Sequence, residues 1–66
     1  MLLKELLNDF YNNHIWDSKE ITRVLTYDDI DITDRFTDPE YQDMEIFNIF
    51  ASPEYCNGVE IVVYNK

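Results

Sequence analysis

The feature that most limits the fold of this chain is the small hydrophobic core that 66 residues can enclose. A chain of this length buries about 60% of the surface that its unfolded form exposes, so its free energy of unfolding is small. Cys56 is the one cysteine, which excludes an internal disulfide and is typical of a reducing cytosol. Aromatic residues, 15% of the chain, partly compensate because each buries a large apolar area. We therefore expect one ordered domain spanning residues 1–66.

An apolar stripe at the N-terminus predicts an amphipathic helix. Its members recur at the three- and four-residue spacing of one helical face, while Lys4 and Asn8 fall on the opposite side. Asn12 and Asn13 are expected to end the helix. The members of the stripe are Leu2, Leu3, Leu6, Leu7, Phe10 and Tyr11.

The remaining periodicities favour a small sheet. Residues 19–27 fit either a short helix with Asp17 and Glu20 as a capping pair or an alternating strand, and their β-forming residues favour the strand. Residues 45–50 and 59–64 are apolar runs on either side of a turn-rich stretch, which predicts a C-terminal β-hairpin. The predicted fold class is therefore α+β, with the N-terminal helix packed on a small antiparallel sheet that includes this hairpin.

Between these elements, the pattern indicates a strand with apolar side chains inward and acids outward. Ile30 and Ile32 alternate with Asp29 and Asp31, as expected for a half-buried strand. Pro39 disfavours a helical conformation in the residue before it, so residues 39–42 form either one helical turn or a loop.

Catalytic and metal-binding motifs are incomplete in this sequence. His14 and Cys56 would be the only members of a Cys-His dyad, and no surrounding motif supports a nucleophile, so His14 is expected at the helix end or on the surface. A single glycine excludes a glycine-rich phosphate loop. Residues 29–40 resemble a calcium loop in the placement of their acids, but Asp34 stands where that loop requires glycine. We expect no enzymatic activity and no metal or other cofactor.

The charge distribution narrows the class of partner. Fourteen acids against five bases give a net charge of −9, which repels nucleic acid and anionic membranes. The apolar runs are far shorter than the ~20 residues needed to span a bilayer, and the first residues lack the charge pattern of a signal peptide. A cytoplasmic protein that binds another protein, with homodimer formation left open, is the expectation.

The acids concentrate between residues 28 and 45, where eight of them accompany one base, Arg35. Acids alternating on a strand would stand ~6.6 Å apart, a separation comparable to that of successive nucleic-acid phosphates. Such a row can occupy a basic groove that normally binds nucleic acid, and nearby aromatic residues would anchor the interface. The candidate partner-binding residues are Asp28, Asp29, Asp31, Asp34, Asp38, Glu40 and Asp43, with Tyr27, Phe36 and Tyr41 as anchors.

In size, acidity and lack of catalytic motifs, the chain is similar to small proteins that phages and mobile elements use against host machinery. These include inhibitors of CRISPR nucleases, restriction enzymes, uracil-DNA glycosylase, sliding clamps and RNA polymerase. The resemblance covers composition only and carries over no functional residues. It implies a stoichiometric inhibitor of a nucleic-acid-binding protein, such as a nuclease, polymerase or clamp. The alternative is a structural or regulatory adaptor, or an antitoxin, that binds through its apolar helix or its hairpin edge.

Overall fold

The computed structural model describes residues 1–12 and 19–64 of the chain. Along the sequence lie helix α1 (Leu3–Tyr11), strand β1 (Glu20–Thr26), a 3-10 turn (Pro39–Tyr41), strand β2 (Ile46–Ala51) and strand β3 (Gly58–Val63). This composition confirms the α+β fold class. The predictions made for Asn13, His14 and Asp17 fall on residues outside the described ranges.

Helix α1 turns one apolar face towards the core, as its stripe predicts. Leu3, Leu6 and Leu7 are buried, whereas Lys4 and Asn8 between them are exposed. Burying a leucine side chain contributes about 1.5–3 kcal/mol, and this gain holds a helix too short to be stable alone in water.

Both ends of α1 are held by side-chain hydrogen bonds. The Glu5 carboxylate accepts the backbone N–H of Leu2 at 2.7 Å, and the Asn12 amide donates to the Asn8 side-chain oxygen at 2.6 Å. Tyr11, the last member of the stripe, is 59% exposed and lies outside the core. The helix therefore begins and ends where its sequence predicted, with a shorter buried face.

The sheet is mixed, so the prediction of a purely antiparallel sheet was wrong. Its strand order is β1-β3-β2, in which β3 pairs antiparallel with β2 and parallel with β1. The second strand of the hairpin, β3, is therefore central, and β1 pairs with the edge of β3 that β2 leaves open. Because β1 and β3 are separated in sequence by all of β2, local turn geometry cannot set their relative direction.

A β-bulge in β1 changes which side chains face the core. The sequence pattern grouped four residues on one strand face, Ile21, Arg23, Leu25 and Tyr27. The bulge falls between Ile21 and Arg23, and an extra residue inverts the alternation beyond it. As a result, Val24 and Thr26 are buried towards the core, while Arg23 and Leu25 point to the other face.

The core lies between α1 and one face of the sheet. Phe10, Phe36, Tyr41, Met44 and Ile46 are among the half-buried side chains that pack around it. The buried residues of the core come from the helix, two strands and the connection after β1. They are Leu3, Leu6, Leu7, Val24, Ile32, Val59, Ile61 and Val63.

The loop between β2 and β3 closes on the single glycine of the chain, as the predicted hairpin requires. The Gly58 carbonyl accepts the Ser52 N–H at 2.9 Å, and its own N–H donates to Tyr55 at 3.0 Å. A Cβ atom on Gly58 would approach Ser52 Cβ and Thr22 Cγ2 to 2.8 Å. Glycine is therefore required at position 58, because other segments of the same chain approach its backbone closely.

Strand directions bring three chain segments to one end of the sheet. Because β1 and β3 are parallel and β2 is antiparallel to them, the end of β1, the end of β3 and the start of β2 lie together. Residues 27–45 connect β1 to β2, starting beside the end of β1 and finishing where the Tyr64 N–H donates to the Glu45 carbonyl at 2.8 Å, past the end of β3. The part of the chain richest in acids lies in this connection.

Candidate protein-binding surface

The acidic segment, defined here as residues 28–45, leaves β1 through a tight turn. Asp29 has a φ of 66°, and its N–H donates to the Thr26 carbonyl at 2.9 Å. The expected alternating strand over 29–33 does not form, since this left-handed residue reverses the chain. Ile30 is 52% exposed, which corrects the prediction that it points inward. Asp29 and Asp31 do not stand on one strand face, so the ~6.6 Å spacing derived for them does not apply.

After the turn, the segment is fastened along the outer edge of β1. Ile32 is buried to 1% exposure, and its N–H donates to the Val24 carbonyl at 2.9 Å. The Thr33 hydroxyl accepts the Val24 N–H at 3.0 Å. A buried isoleucine and backbone hydrogen bonds thus hold the start of the acidic segment against the sheet.

Two of the three predicted aromatic anchors face inward. Phe36 and Tyr41 are half-buried and pack against the core, which corrects the expectation that they are exposed. The Tyr41 hydroxyl accepts a hydrogen bond from Arg35 Nε at 3.2 Å, and Gln42 donates to the Phe36 carbonyl at 2.8 Å. These rings hold the segment in place from beneath.

All eight acids of the segment are exposed. Exposed ion pairs contribute about 0–1 kcal/mol each, so such contacts leave most of the negative potential in place. Asp29 and Asp38 make no ion pair with any cation of the described ranges. Ion pairs within the described ranges include Lys4–Asp43 at 3.0 Å, Arg23–Asp31 at 3.7 Å and Arg35–Asp34 at 3.8 Å.

Local hydrogen bonds favour the charged forms of two groups in the segment. Hydrogen bonds from Thr33, first from its side chain and then from its backbone, lower the pKa of Asp31 below 3.8. The hydrogen bond to the Tyr41 hydroxyl, helped by Asp34, raises the pKa of Arg35. Asp31 therefore remains negative, and Arg35 positive, across the neutral range.

An exposed aromatic cluster borders the acidic segment. We call Tyr27, Phe47 and Tyr64 the aromatic triad. The Tyr27 and Tyr64 rings are stacked with centroids 5.6 Å apart, and Phe47 meets them edge-on at 4.9 and 5.1 Å. The exposed fractions are 56% for Tyr27, 46% for Phe47 and 44% for Tyr64. Three large rings in contact, each about half exposed, form a contiguous apolar patch, a feature that often marks a protein interface.

Two members of the aromatic triad were not among the predicted site residues. Tyr27 was predicted as an anchor, and its exposure agrees with that role. Phe47 and Tyr64 were assigned to the hairpin. The outward direction of Tyr64 could have been deduced from alternation along β3, whereas Phe47 lies at a bulge of β2, where alternation is interrupted. The contact of both residues with Tyr27 could not have been deduced, because it depends on β3 lying between β1 and β2.

Groups suited to other chemistry are sparse among the described residues. Within 1–12 and 19–64, no cluster of three or more His, Cys, Asp or Glu side chains could hold a metal ion, and this includes the calcium-like residues 29–40. The Cys56 thiol is exposed in the hairpin loop, and His14 lies outside the described ranges. Over those same ranges, no helix has the length and apolar character needed to cross a membrane.

Comparison with known proteins adds no relationship to these observations. No protein-family model matches the chain, and neither the curated proteins nor the solved structures yield a significant match.

Proposed function

We propose that this protein binds a basic, nucleic-acid-binding surface of a target protein and inhibits the target stoichiometrically by occupying that surface. The observation that carries the proposal is the acidic segment, whose eight acidic residues are all exposed. Lys4, Arg23 and Arg35 contact only part of this set, through exposed pairs that are screened by salt.

The density of charge supports a polycationic partner. More than half of the acids of the chain lie in 18 consecutive residues with a single base among them. A surface of one sign attracts a partner of the opposite sign over about a Debye length, which is ~8 Å at physiological salt. Association of such a pair is fast at low salt and slows as salt rises. The proposal rests on this density and no longer on a regular phosphate-like spacing along a strand.

The aromatic triad supplies the apolar part of the proposed interface. Electrostatic attraction favours encounter, whereas affinity in protein interfaces comes largely from a few desolvated anchors, with Tyr and Trp enriched. Tyr27 directly precedes the acidic segment and Phe47 lies two residues after its last acid, Glu45. The acidic segment therefore begins and ends beside the aromatic triad.

A second candidate function, an adaptor that binds through its hairpin edge, is favoured by one observation. From residue 47 to residue 51, the outer edge of β2 pairs with no strand of the described ranges. Strand β2 also contains no charged residue. Open, uncharged edges accept an added strand readily. Binding by this edge would survive high salt, because backbone hydrogen bonds and apolar contacts are weakly screened. The helix version of the adaptor lacks such support, since Leu3, Leu6 and Leu7 are buried in the core.

The test compares two double charge reversals that change the net charge of −9 by the same four units. Asp38→Lys with Glu40→Lys alters the acidic segment at exposed positions, and Glu20→Lys with Glu54→Lys alters exposed positions at the other end of the sheet. Wild type and both variants are immobilised, incubated with a bacterial lysate, and the captured proteins are identified. The affinity of the purified target is then measured for each variant, with and without the target's own nucleic acid.

The proposal expects the reversal in the acidic segment to weaken target binding by at least tenfold more than the matched reversal. It also expects the target's nucleic acid to compete with this protein for binding. Equal losses in the two variants would show that only bulk charge matters. A ternary complex of target, nucleic acid and this protein would exclude occupation of the basic surface and favour the adaptor.

A further inference from the structure

The sheet face opposite the core carries an ordered set of side chains that no described element covers. We call it the outer sheet face. Strand register arranges two rows across β1, β3 and β2, and ring contacts add the aromatic triad as a third. The rows are Arg23, Glu60 and Phe50; Leu25, Val62 and Asn48; and Tyr27, Tyr64 and Phe47.

Glu60 is the unusual member of this face. It lies between Val59 and Ile61, both of which point to the core, so strand alternation directs Glu60 outward. Nevertheless it is only 7% exposed. Its side chain forms no hydrogen bond or ion pair with any residue of the ranges 1–12 and 19–64. The carboxylate oxygens keep a small contact with solvent, and no cation of these ranges pairs with them.

The cation beside Glu60 in the strand register pairs with another acid. Arg23 is the cross-strand neighbour of Glu60 in the register of β1 and β3, but its guanidinium pairs with Asp31 at 3.7 Å. On the other side of Glu60 lies Phe50, which is 40% exposed. Glu60 thus lies beside the aromatic ring of Phe50, and a cationic side chain of a partner would neutralise its carboxylate.

We propose that the outer sheet face binds an arginine-bearing segment of the partner. The guanidinium contacts Glu60 and lies against the ring of Phe50, and an apolar side chain of the same segment packs on the aromatic triad. Arginine fits better than lysine because its planar guanidinium binds a carboxylate through two hydrogen bonds and stacks on an aromatic ring. Glu60 and Tyr64 lie on the same strand face ~13 Å apart, so the two side chains of an extended segment would stand four positions apart.

This inference rests on the proposed function, because both require a basic partner, and it adds where and how one residue of that partner is recognised. Charge favours a partner over a second copy of this chain. A second copy would bring its own net charge of −9 to a face that already holds a carboxylate without a cation partner among the described residues. A basic segment supplies the missing counter-charge.

The test uses a defined peptide and one pair of matched variants. The probe is an acetylated nine-residue peptide with arginine and phenylalanine four positions apart, and its control has lysine in place of arginine. Binding to wild type, Glu60→Gln and Glu54→Gln is followed by NMR chemical shifts of backbone amides. Glu54 is an exposed acid of the hairpin loop, so its variant removes the same charge from a different place.

The proposal expects the arginine peptide to shift the amides of Glu60, Val62 and Tyr64, and to bind several-fold tighter than the lysine peptide. Glu60→Gln should weaken binding about tenfold, and Glu54→Gln less than twofold. Glu60→Gln should also raise the melting temperature of the free protein, because an amide costs less to bury than an uncompensated carboxylate. This rise distinguishes a binding role from a structural one, and it shows that the variant is folded.

Three results would overturn the inference. The first is equal binding by Glu60→Gln and Glu54→Gln. The second is a set of shifts confined to the acidic segment, which would leave the proposed function standing without this site. The third is a dimer in sedimentation equilibrium that Phe47→Ser dissociates, because it would assign the outer sheet face to a second copy. A different outcome would separate the two proposals. If the peptide binds at Glu60 but the two double charge reversals lose target affinity equally, the proposed function is refuted and the site at Glu60 remains.

Discussion

Ile30 and Ile32 offer a direct test of how the acidic segment is attached to the fold. The two residues are identical in type and two positions apart, but Ile32 is 1% exposed and Ile30 is 52% exposed. The same truncation can therefore be compared at a buried and at an exposed position. Sequence periodicity predicted that both residues point inward, so the comparison also separates that prediction from the observed turn.

The expected magnitudes follow from burial. Ile→Val at a buried site costs about 0.5–1.5 kcal/mol and Ile→Ala about 2–5 kcal/mol, because the lost transfer free energy is joined by a cavity. A domain of this length has a total stability of only about 3–10 kcal/mol, at roughly 0.05–0.15 kcal/mol per residue. Ile32→Ala should therefore unfold a large fraction of the protein, while Ile32→Val should leave a folded, measurably weaker domain. The same changes at Ile30 should stay within about 0.5 kcal/mol.

The assay is urea unfolding at pH 7, followed by far-UV circular dichroism for wild type, both valine variants and both alanine variants. The free energies of unfolding are compared at equal denaturant dependence, so that a change in the compactness of the unfolded state is not mistaken for lost packing. Equal destabilisation by Ile30→Val and Ile32→Val would refute the left-handed turn at Asp29 and restore the alternating strand.

Further perturbations probe the core, the hairpin and the charges. Leu6→Ala should lower the free energy of unfolding in urea by about 2–5 kcal/mol, because Leu6 is fully buried. The control Tyr11→Ala, at an exposed position of the same helix, should cost far less. Similar losses in the two variants would place the stripe outside the core. Gly58→Ala should lower the melting temperature, since its Cβ would lie 2.8 Å from Ser52 Cβ, and an unchanged value would mean that the hairpin loop yields at little cost. Raising salt to ~0.5 M should raise the melting temperature by screening the acidic segment, and a salt-independent value would show that these acids are already compensated. The Thr33 hydrogen bonds that lower the pKa of Asp31 stabilise the fold above pH 3.8, and this contribution is lost as the pH falls through the lowered pKa. Asp31→Asn should accordingly destabilise the protein at pH 7 and cease to do so at strongly acidic pH, and an equal effect at both pH values would exclude the charge as its cause.

Local pattern was sufficient for the elements whose stability comes from nearby residues. The spacing of Leu3, Leu6 and Leu7 predicted a helix with the observed buried face, because that face is set by the 3.6-residue period alone. The hairpin was predicted for a similar reason, since its strands are joined by a short turn-rich loop that ends at Gly58. The concentration of acids in residues 28–45 is likewise a property of the sequence, and so is the expectation that most of them face water.

Tertiary structure decided everything that depends on contacts between distant segments. The parallel pairing of β1 with β3 joins strands with β2 between them in sequence, so no local turn could encode it. The bulge in β1 and the positive φ of Asp29 each shift an alternation by a local backbone change that composition does not reveal. The bulge places Ile21 on the opposite face from Leu25, and the turn at Asp29 exposes Ile30. Phe36 and Tyr41 are aromatic residues within an acidic stretch and were expected as surface anchors, yet they pack against the core, because burying their rings is favourable. The aromatic triad and the uncompensated Glu60 exist only because β3 lies between β1 and β2, which brings together side chains that the sequence holds far apart.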